Sequence, residues 1–309
     1  MDFIWYKFIY LFYVLAMITV FTPTYNRAHL LRRLYGSLCE QTVLKSGLSH
    51  PFEWVVVDDG STDNTEELMQ TIFAEQKISV NYIKKTNGGK HTAINRGVRE
   101  AKGDLFWILD SDDTLPVNAI ELVLTYLPQM KRVKAGGICG YMAHHNGEII
   151  GNPVVSQPQI VSSIEMRYKL GIMGDMMEIF ETSVLREFSF PEIEGERFCP
   201  EVLVWYRIAQ KYKLLLVPDI LYYRDYLDGG LTDNIIKIRM KSPVGTMMTY
   251  SELFNLDISL KYKLRNAINY WRFAFCTENR NIKIASWGNL IAPLGWLMPV
   301  SYTHLRAHE

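Results

Sequence analysis

EWVVVDDGSTD, residues 53–63, decides the fold. Glu53 to Asp58 is a Val-rich run with almost no polar interruption, the pattern of a strand buried on both faces in a parallel sheet. It stops at Asp58, Asp59 and Gly60, where Asp-Gly marks a turn. Ser61 and the residues after it carry helix-start chemistry. Leu68, Met69, Ile72 and Phe73 then follow as an apolar stripe. The same unit of strand, polar turn and helix recurs on both sides. Upstream, Ile18 to Pro23 is a short apolar strand, TPTYNR occupies 22–27, and Asn26 to Cys39 has Leu30, Leu34 and Leu38 on one helical face. Downstream come a third strand, Val80 to Lys84, the turn NGGKH at 87–91, and a helix from Lys90 to Lys102 with Ile94, Val98 and Ala101 inward. A fourth strand, Asp104 to Leu109, ends in DSDD at 110–113. Pro116 suits the first turn of a helix bearing Val117, Ile120, Leu124 and Leu127. This alternation predicts an α/β protein with a mostly parallel central sheet, right-handed crossovers and flanking helices.

The second half is less regular. Ile138 to Ile150 reads as a hairpin turning at Asn146-Gly147. Met166 to Tyr168 and Glu201 to Tyr212 read as helical, Leu214 to Val217 and Ile220 to Arg224 as short strands, and 235–280 as C-terminal helices. The expected division is 17–115, the regular strand–helix half; 116–232, a second half sharing its sheet; and 233–298, a helical region.

The chain has 309 residues, 48% of them apolar, which excludes wholesale disorder. Lys plus Arg and Asp plus Glu are 33 each. There is no basic excess of the kind nucleic-acid binding requires. Cys39, Cys139, Cys199 and Cys276 are widely spaced, which fits neither a zinc ribbon nor a disulfide scaffold. Residues 3–21 are nearly all apolar, long enough for a membrane anchor. Lys7 interrupts them, however, and they run without a linker into the first strand. Residues 1–16 are therefore expected to be upstream sequence or an extension, with Met17 a natural start. Residues 299–309 resemble a translated sequencing adapter, so they are expected to be non-native, and His304 and His308 carry no metal hypothesis.

In open α/β sheets ligands bind outside the carboxyl ends of the strands, and four motifs fall on that edge. Asp110, Ser111 and Asp112 are the sharpest. Two carboxylates two residues apart can share a hard divalent cation that would neutralise a diphosphate leaving group. The plainer reading is an acidic loop, with Asp113 capping the Pro116 helix. Of Asp58 and Asp59, one would accept the N3–H of uracil while the other fixes the turn. Tyr25 would stack beside the base and Thr22 bond to it, or both simply finish the strand and pack. Gly88, Gly89 and Lys90 open a helix, where close backbone approach and the helix terminus favour anions. Lys90 adds charge, although no P-loop surrounds it. Asn95 and Arg96 are expected to be packing or surface residues.

Together TPTYNR, VVVDDGSTD, NGGK and LDSDD resemble, closely and in order, the inverting glycosyltransferases of family 2, which have the GT-A, Rossmann-like fold. The resemblance covers about 17–230 and implies that 17–115 is the nucleotide-sugar-binding half and 116–232 the acceptor-binding half. It implies nucleotide-base positions at Thr22, Tyr25 and Asp59, a donor-binding position at Lys90, and a D-x-D at Asp110 and Asp112 handling Mn²⁺ or Mg²⁺, diphosphate and ribose. It also implies a UDP-sugar donor, a saccharide or lipid-linked acceptor, and work at the cytosolic face of a bacterial envelope on cell-surface polysaccharide or glycolipid.

Inversion by direct displacement needs a base for the acceptor hydroxyl. The family supplies a carboxylate from an acidic pair before a helix, and the matching stretch here is GERFCPEVL, 195–203. Pro200 replaces the first acid of that pair, so Glu201 is the expected base, with Glu196 in reserve. Asp175 would line the acceptor site or equally sit in a turn, and Gly229 to Thr232 would form a lid. His91, His144 and His145 are read as ordinary. The Tyr270-Trp271-Arg272-Phe273 stretch either packs or touches membrane. Two rivals remain. A nucleotidyltransferase would need a Gly-rich G-x-G-T-R loop after the first strand, where TPTYNR stands. A non-catalytic nucleotide-sugar binder would not need the D-x-D and Glu201.

Overall fold

The computed structural model describes residues 16–46, 51–224, 234–279 and 281–298. These fall into two compact groups: 16–46, 51–87, 93–189 and 208–224 in the first, and 88–92, 190–207, 234–279 and 281–298 in the second.

The first group is built on one eight-stranded sheet. Four parallel strands start it: β1 (Ile18–Thr24), β2 (Phe52–Asp58), β3 (Ser79–Lys84) and β4 (Leu105–Ile108), in the spatial order β3-β2-β1-β4. All seven residues of β1 and of β2 are buried, as Val, Ile, Phe and Trp side chains on both faces require. Helix α1 (Ala28–Cys39) buries Leu31, Leu34, Tyr35 and Leu38, and α2 (Thr65–Glu75) buries Met69 and Ile72. Phe73 is left exposed. The chain leaves β3 at the edge, runs through α3 (Lys90–Glu100), and re-enters the sheet on the far side of β1. The order therefore reverses between β1 and β4, which is where open sheets of this kind bind ligands.

The second half of the sheet departs from the sequence expectation. Helix α4 (Ala119–Arg132) starts three residues after Pro116, leaving Val117 exposed outside it, and its N-cap is Asn118, not Asp113. The 138–150 hairpin reduces to a turn. β5 (Gly137–Ala143) is a full strand, Gly147 adopts φ +88°, and the return arm makes only an isolated bridge between Ala143 and Ile149. The true partner of β5 is β7 (Met176–Glu181), which also pairs antiparallel with β4. On the other side of β5 lies β8 (Leu214–Tyr223), a single parallel strand where two short ones were expected, and β6 (Gln159–Val161) closes that edge. Helix α5 (Ser163–Tyr168) opens with a capping box, Ser162 and Glu165 each bonding the other's backbone N–H. Helix α6 (Thr182–Glu187) follows β7 directly. The core between sheet and helices holds Trp54, Trp107, Leu34, Leu38, Ile120 and Leu124, all fully buried.

The second group contains the start of α7 (Glu201–Ala209), then α8 (Ile235–Lys241), α9 (Pro243–Asn255), α10 (Leu260–Ala274) and α11 (Ala292–Leu297). Its core is Met247, Phe254, Ala267, Tyr270, Phe273 and Ile284. The Tyr270–Phe273 stretch packs: Tyr270 and Phe273 are buried, and the Trp271 indole donates to the Gly288 carbonyl. Arg207 makes two hydrogen bonds to the Glu252 carboxylate, 2.9 and 2.6 Å. Among the described residues no helix is long and apolar enough to cross a membrane.

Candidate active site

The loops after β1 and β2 are laced together. Asn26 adopts φ +53°; its N–H donates to Ser61 Oγ at 2.8 Å, and its Oδ1 accepts the Thr62 N–H at 2.8 Å. Asp63 accepts from the Ala28 N–H at the start of α1 and from Thr65 at the start of α2. Burial pushes its carboxyl up, but these hydrogen bonds outweigh that and hold it below the usual range. The first-strand loop is thus shaped by the second.

The acidic pair divides its labour. Asp58 is fully buried and spends both oxygens on structure: Oδ1 accepts the Ser61 N–H and Oδ2 accepts the Tyr82 hydroxyl, each at 2.7 Å. Asp59, the next residue, is also buried, at 4% exposure, and receives Lys85 Nζ at 2.6 Å. Tyr25 is 47% exposed, as a stacking ring requires. Thr22 is a correction. Its side chain is wholly buried and accepts the Trp54 indole N–H at 2.9 Å, so it offers no surface to a base. The pleat turns alternate residues the same way, and Thr24, two positions on, buries a hydroxyl with no hydrogen-bond partner.

The DSDD turn sits at the end of β4, beside β1. Tyr222, from β8, holds it from beneath. Its hydroxyl donates to Asp113 Oδ2 at 2.7 Å and accepts the Asp110 N–H at 2.9 Å. The Asp113 N–H donates to the Asp110 carbonyl, and Thr114 and Tyr223 exchange backbone hydrogen bonds. Asp113 is therefore a buried member of the turn's foundation and not a helix cap. Burial, and then the nearby Asp110 carboxylate, push its carboxyl up to about 7, against the Tyr222 hydrogen bond. Arg224 pairs with Asp175 at 2.9 Å. Burial works against its charge, and the negative field of Asp113 and Asp175 outweighs that.

Asp112 faces the first-strand loop. Arg27 Nη1 donates to Asp112 Oδ2 at 2.6 Å, and Arg33 donates to the Asp112 carbonyl. Ser111 is buried between the two acids, while Asp110 and Asp112 are half-buried. No group of three or more His, Cys, Asp or Glu side chains among the described residues is placed to hold a metal ion. Two hard carboxylate donors nevertheless suit a cation such as Mg²⁺, which takes one or two carboxylates and fills its remaining positions with phosphate oxygens and water.

Gly89, Lys90, Glu196 and Glu201 lie in the second group. Gly89 adopts φ +95°, and a Cβ there would come within 1.9 Å of the Arg197 carbonyl oxygen, so only glycine fits. That close approach brings Lys90, the first residue of α3, to Glu201, the first residue of α7, with Nζ to Oε1 at 2.7 Å. Glu196 is committed elsewhere: its carboxylate accepts the N–H groups of Val244 and Gly245 at 2.6 and 2.9 Å and caps α9, while burial pushes it up. His91 and Asn95 are buried, and His145 shares a hydrogen bond with Thr114 at 2.9 Å. The lid predicted at Gly229 to Thr232 lies outside the described residues, as do 1–15 and 299–309. Arg27, Lys85 and Tyr222 escaped the sequence reading. Arg27 closes the TPTYNR motif, and its position there was the one available signal.

A family model described as Glycosyl transferase family 2 matches residues 19–177. A chondroitin synthase from Pasteurella multocida (strain Pm70) is 32% identical over 142 residues, 45% of this chain and 14% of that protein. An uncharacterized glycosyltransferase from Rickettsia bellii (strain RML369-C) is 26% identical over 268 residues, 82% of this chain and 33% of that one. The chain thus spans a third or less of these curated relatives. Among solved structures, S. aureus TarS 1-349 in complex with UDP-GlcNAc superposes with a TM-score of 0.61 at 20% identity, covering 90% of this chain and 79% of that one. The mannosyltransferase PcManGT from Pyrobaculum calidifontis, in complex with GDP-Man and Mn²⁺, gives 0.52 at 16%, covering 98% and 89%. These likenesses show the same fold.

Proposed function

Because the chain belongs to glycosyltransferase family 2, we propose that it is an inverting, metal-dependent transferase moving a sugar from a UDP-sugar to a hydroxyl acceptor. The observation that carries this is the pair of acidic loops at the carboxyl ends of β2 and β4, flanking β1 at the point where strand order reverses.

In this reading Tyr25 stacks on the base and Asp59 accepts its N3–H. Asp58 keeps the turn in shape, as its two structural hydrogen bonds suggest. Asp110 and Asp112 hold Mn²⁺ or Mg²⁺, with Ser111 between them. When bound, that cation supplies charge neutralisation of the departing diphosphate. Gly89 and Lys90 bind the donor's anionic part. Glu201 takes the proton of the acceptor hydroxyl; a carboxylate is a weak base for an alcohol, so transfer occurs late, as oxygen bonds to carbon.

The names of the relatives support the finer assignment. The chondroitin synthase builds the case for a polysaccharide or glycolipid acceptor, and TarS with UDP-GlcNAc for hexosyl or N-acetylhexosaminyl transfer. Work at the inner face of the plasma membrane accords with the exposed Leu290, Trp296 and Leu297.

The chain should release UDP slowly from at least one UDP-sugar, only with Mn²⁺ or Mg²⁺ present. Asp112→Ala should abolish release. Glu201→Gln should bind UDP and lose transfer to acceptor. Metal-independent release, or normal transfer by Glu201→Gln, would refute the corresponding assignment.

A further inference from the structure

We infer that Arg27 is a resident counter-cation of Asp112 that exchanges onto the donor diphosphate when a divalent cation binds, so that metal and nucleotide enter as a coupled pair. The inference rests on the proposed reading of Asp110 and Asp112.

Arg27 Nη1 lies 2.6 Å from Asp112 Oδ2, an oxygen of one of the two carboxylates of the D-x-D. A dication ligated by that oxygen and the guanidinium compete for one negative charge. Neither partner is locked in: side-chain exposure is 28% for Arg27 and 22% for Asp112. The backbone beneath is fixed. The Arg27 carbonyl accepts the N–H groups of Leu30 and Leu31, anchoring the residue at the start of α1. Asp112 is fixed in turn through its own carbonyl, by Arg33. The side-chain pair can therefore open without moving either loop.

Charge favours the exchange. A dication approaching with no nucleotide meets a carboxylate already neutralised and a guanidinium beside it. A dication carried by a diphosphate brings negative oxygens with it, and these suit the planar fork of an arginine better than one carboxylate oxygen does. Once Arg27 has turned onto them, Asp112 is left to the metal. The two ligands then strengthen each other's binding, and thermodynamic linkage makes the effect reciprocal. Such a device keeps free metal from occupying the acidic turn before a donor arrives.

Manganese binding to the full chain, measured by the electron paramagnetic resonance signal of free Mn²⁺ with and without UDP, tests this without any turnover. In the native chain UDP should tighten Mn²⁺ binding by about tenfold or more, within the usual span of coupled sites. Arg27→Gln should bind Mn²⁺ alone several-fold more tightly than the native chain, and UDP, judged against its own chelation of Mn²⁺ in protein-free buffer, should then tighten that binding by a smaller factor than in the native chain, direct ligation of the metal by the diphosphate being what remains. Arg27→Lys keeps the charge without the fork and should fall between them; it also serves if Arg27→Gln does not fold. Unchanged metal affinity and coupling in both variants would overturn the inference while leaving the D-x-D reading intact. Weaker binding of Mn²⁺ alone by Arg27→Gln would overturn it in favour of a plain structural peg. Absence of Mn²⁺ binding by the native chain even with UDP would remove both.

Discussion

Tyr222 ties two parts of one turn to a strand more than a hundred residues away. Replacing it by Phe keeps the ring in its buried place and removes one hydroxyl. The Asp113 carboxyl and the Asp110 N–H then lose a partner inside the protein, where unsatisfied polar groups cost about 1–3 kcal/mol each. Tyr222→Phe should lower stability by about that amount in urea unfolding, and Asp110 should ligate less well because its turn is no longer pinned. An unchanged unfolding midpoint would show that Tyr222 carries no such load. The two acids at 58 and 59 teach the complementary lesson. Their adjacency was plain in the sequence, but which one is spent on structure depends on Tyr82, which reaches Asp58 from the neighbouring strand. Thr22 is the clearest miss. Strand alternation was legible, but the phase of the pleat against Trp54 was not.

Elements follow local rules where their signals are strong. β1 and β2 were evident because long apolar runs have few alternatives to a buried strand. α5 shows a capping box in which Glu165 is held well below the usual carboxylate range, at about 2, first by the Ser162 N–H, against an opposing burial penalty, and then by Lys213 and Lys169. A carboxyl whose folded value is depressed stabilises the fold above its unfolded pKa, about 4.3, and loses that contribution as pH falls towards the folded value. Glu165→Gln keeps the reciprocal hydrogen bonds and removes the charge. The stability gap between native and variant chains should be largest at neutral pH and close between about pH 4.3 and about 2. A gap that persists on acidification would mean that the charge is not its source. The helix after the DSDD turn was misplaced by three residues because Pro116, a permitted first-turn residue, instead lies before it, and Gln41 accounts for the difference by donating to the Pro116 carbonyl and accepting the Ile120 N–H.

At the scale of the whole chain, ligand binding to the native state alone raises stability by mass action, about 2.7 kcal/mol at a hundredfold excess over Kd. UDP with Mn²⁺ should therefore raise the melting temperature, and UDP with a chelator should raise it much less. Equal shifts under both conditions would detach nucleotide binding from the acidic turn. What the sequence alone determined was the alternation of strands and helices, the edge of the sheet on which the four motifs fall, and the family those motifs resemble. All of these are encoded within a few residues of one another. Only the tertiary structure decided that β7 inserts between β4 and β5, that Thr22 faces inward, that Arg27 grips Asp112 and that Lys90 meets Glu201. Those contacts join residues distant in the chain, whose pairing is set by sheet register, close packing and the satisfaction of buried polar groups, none of which has a periodicity in sequence.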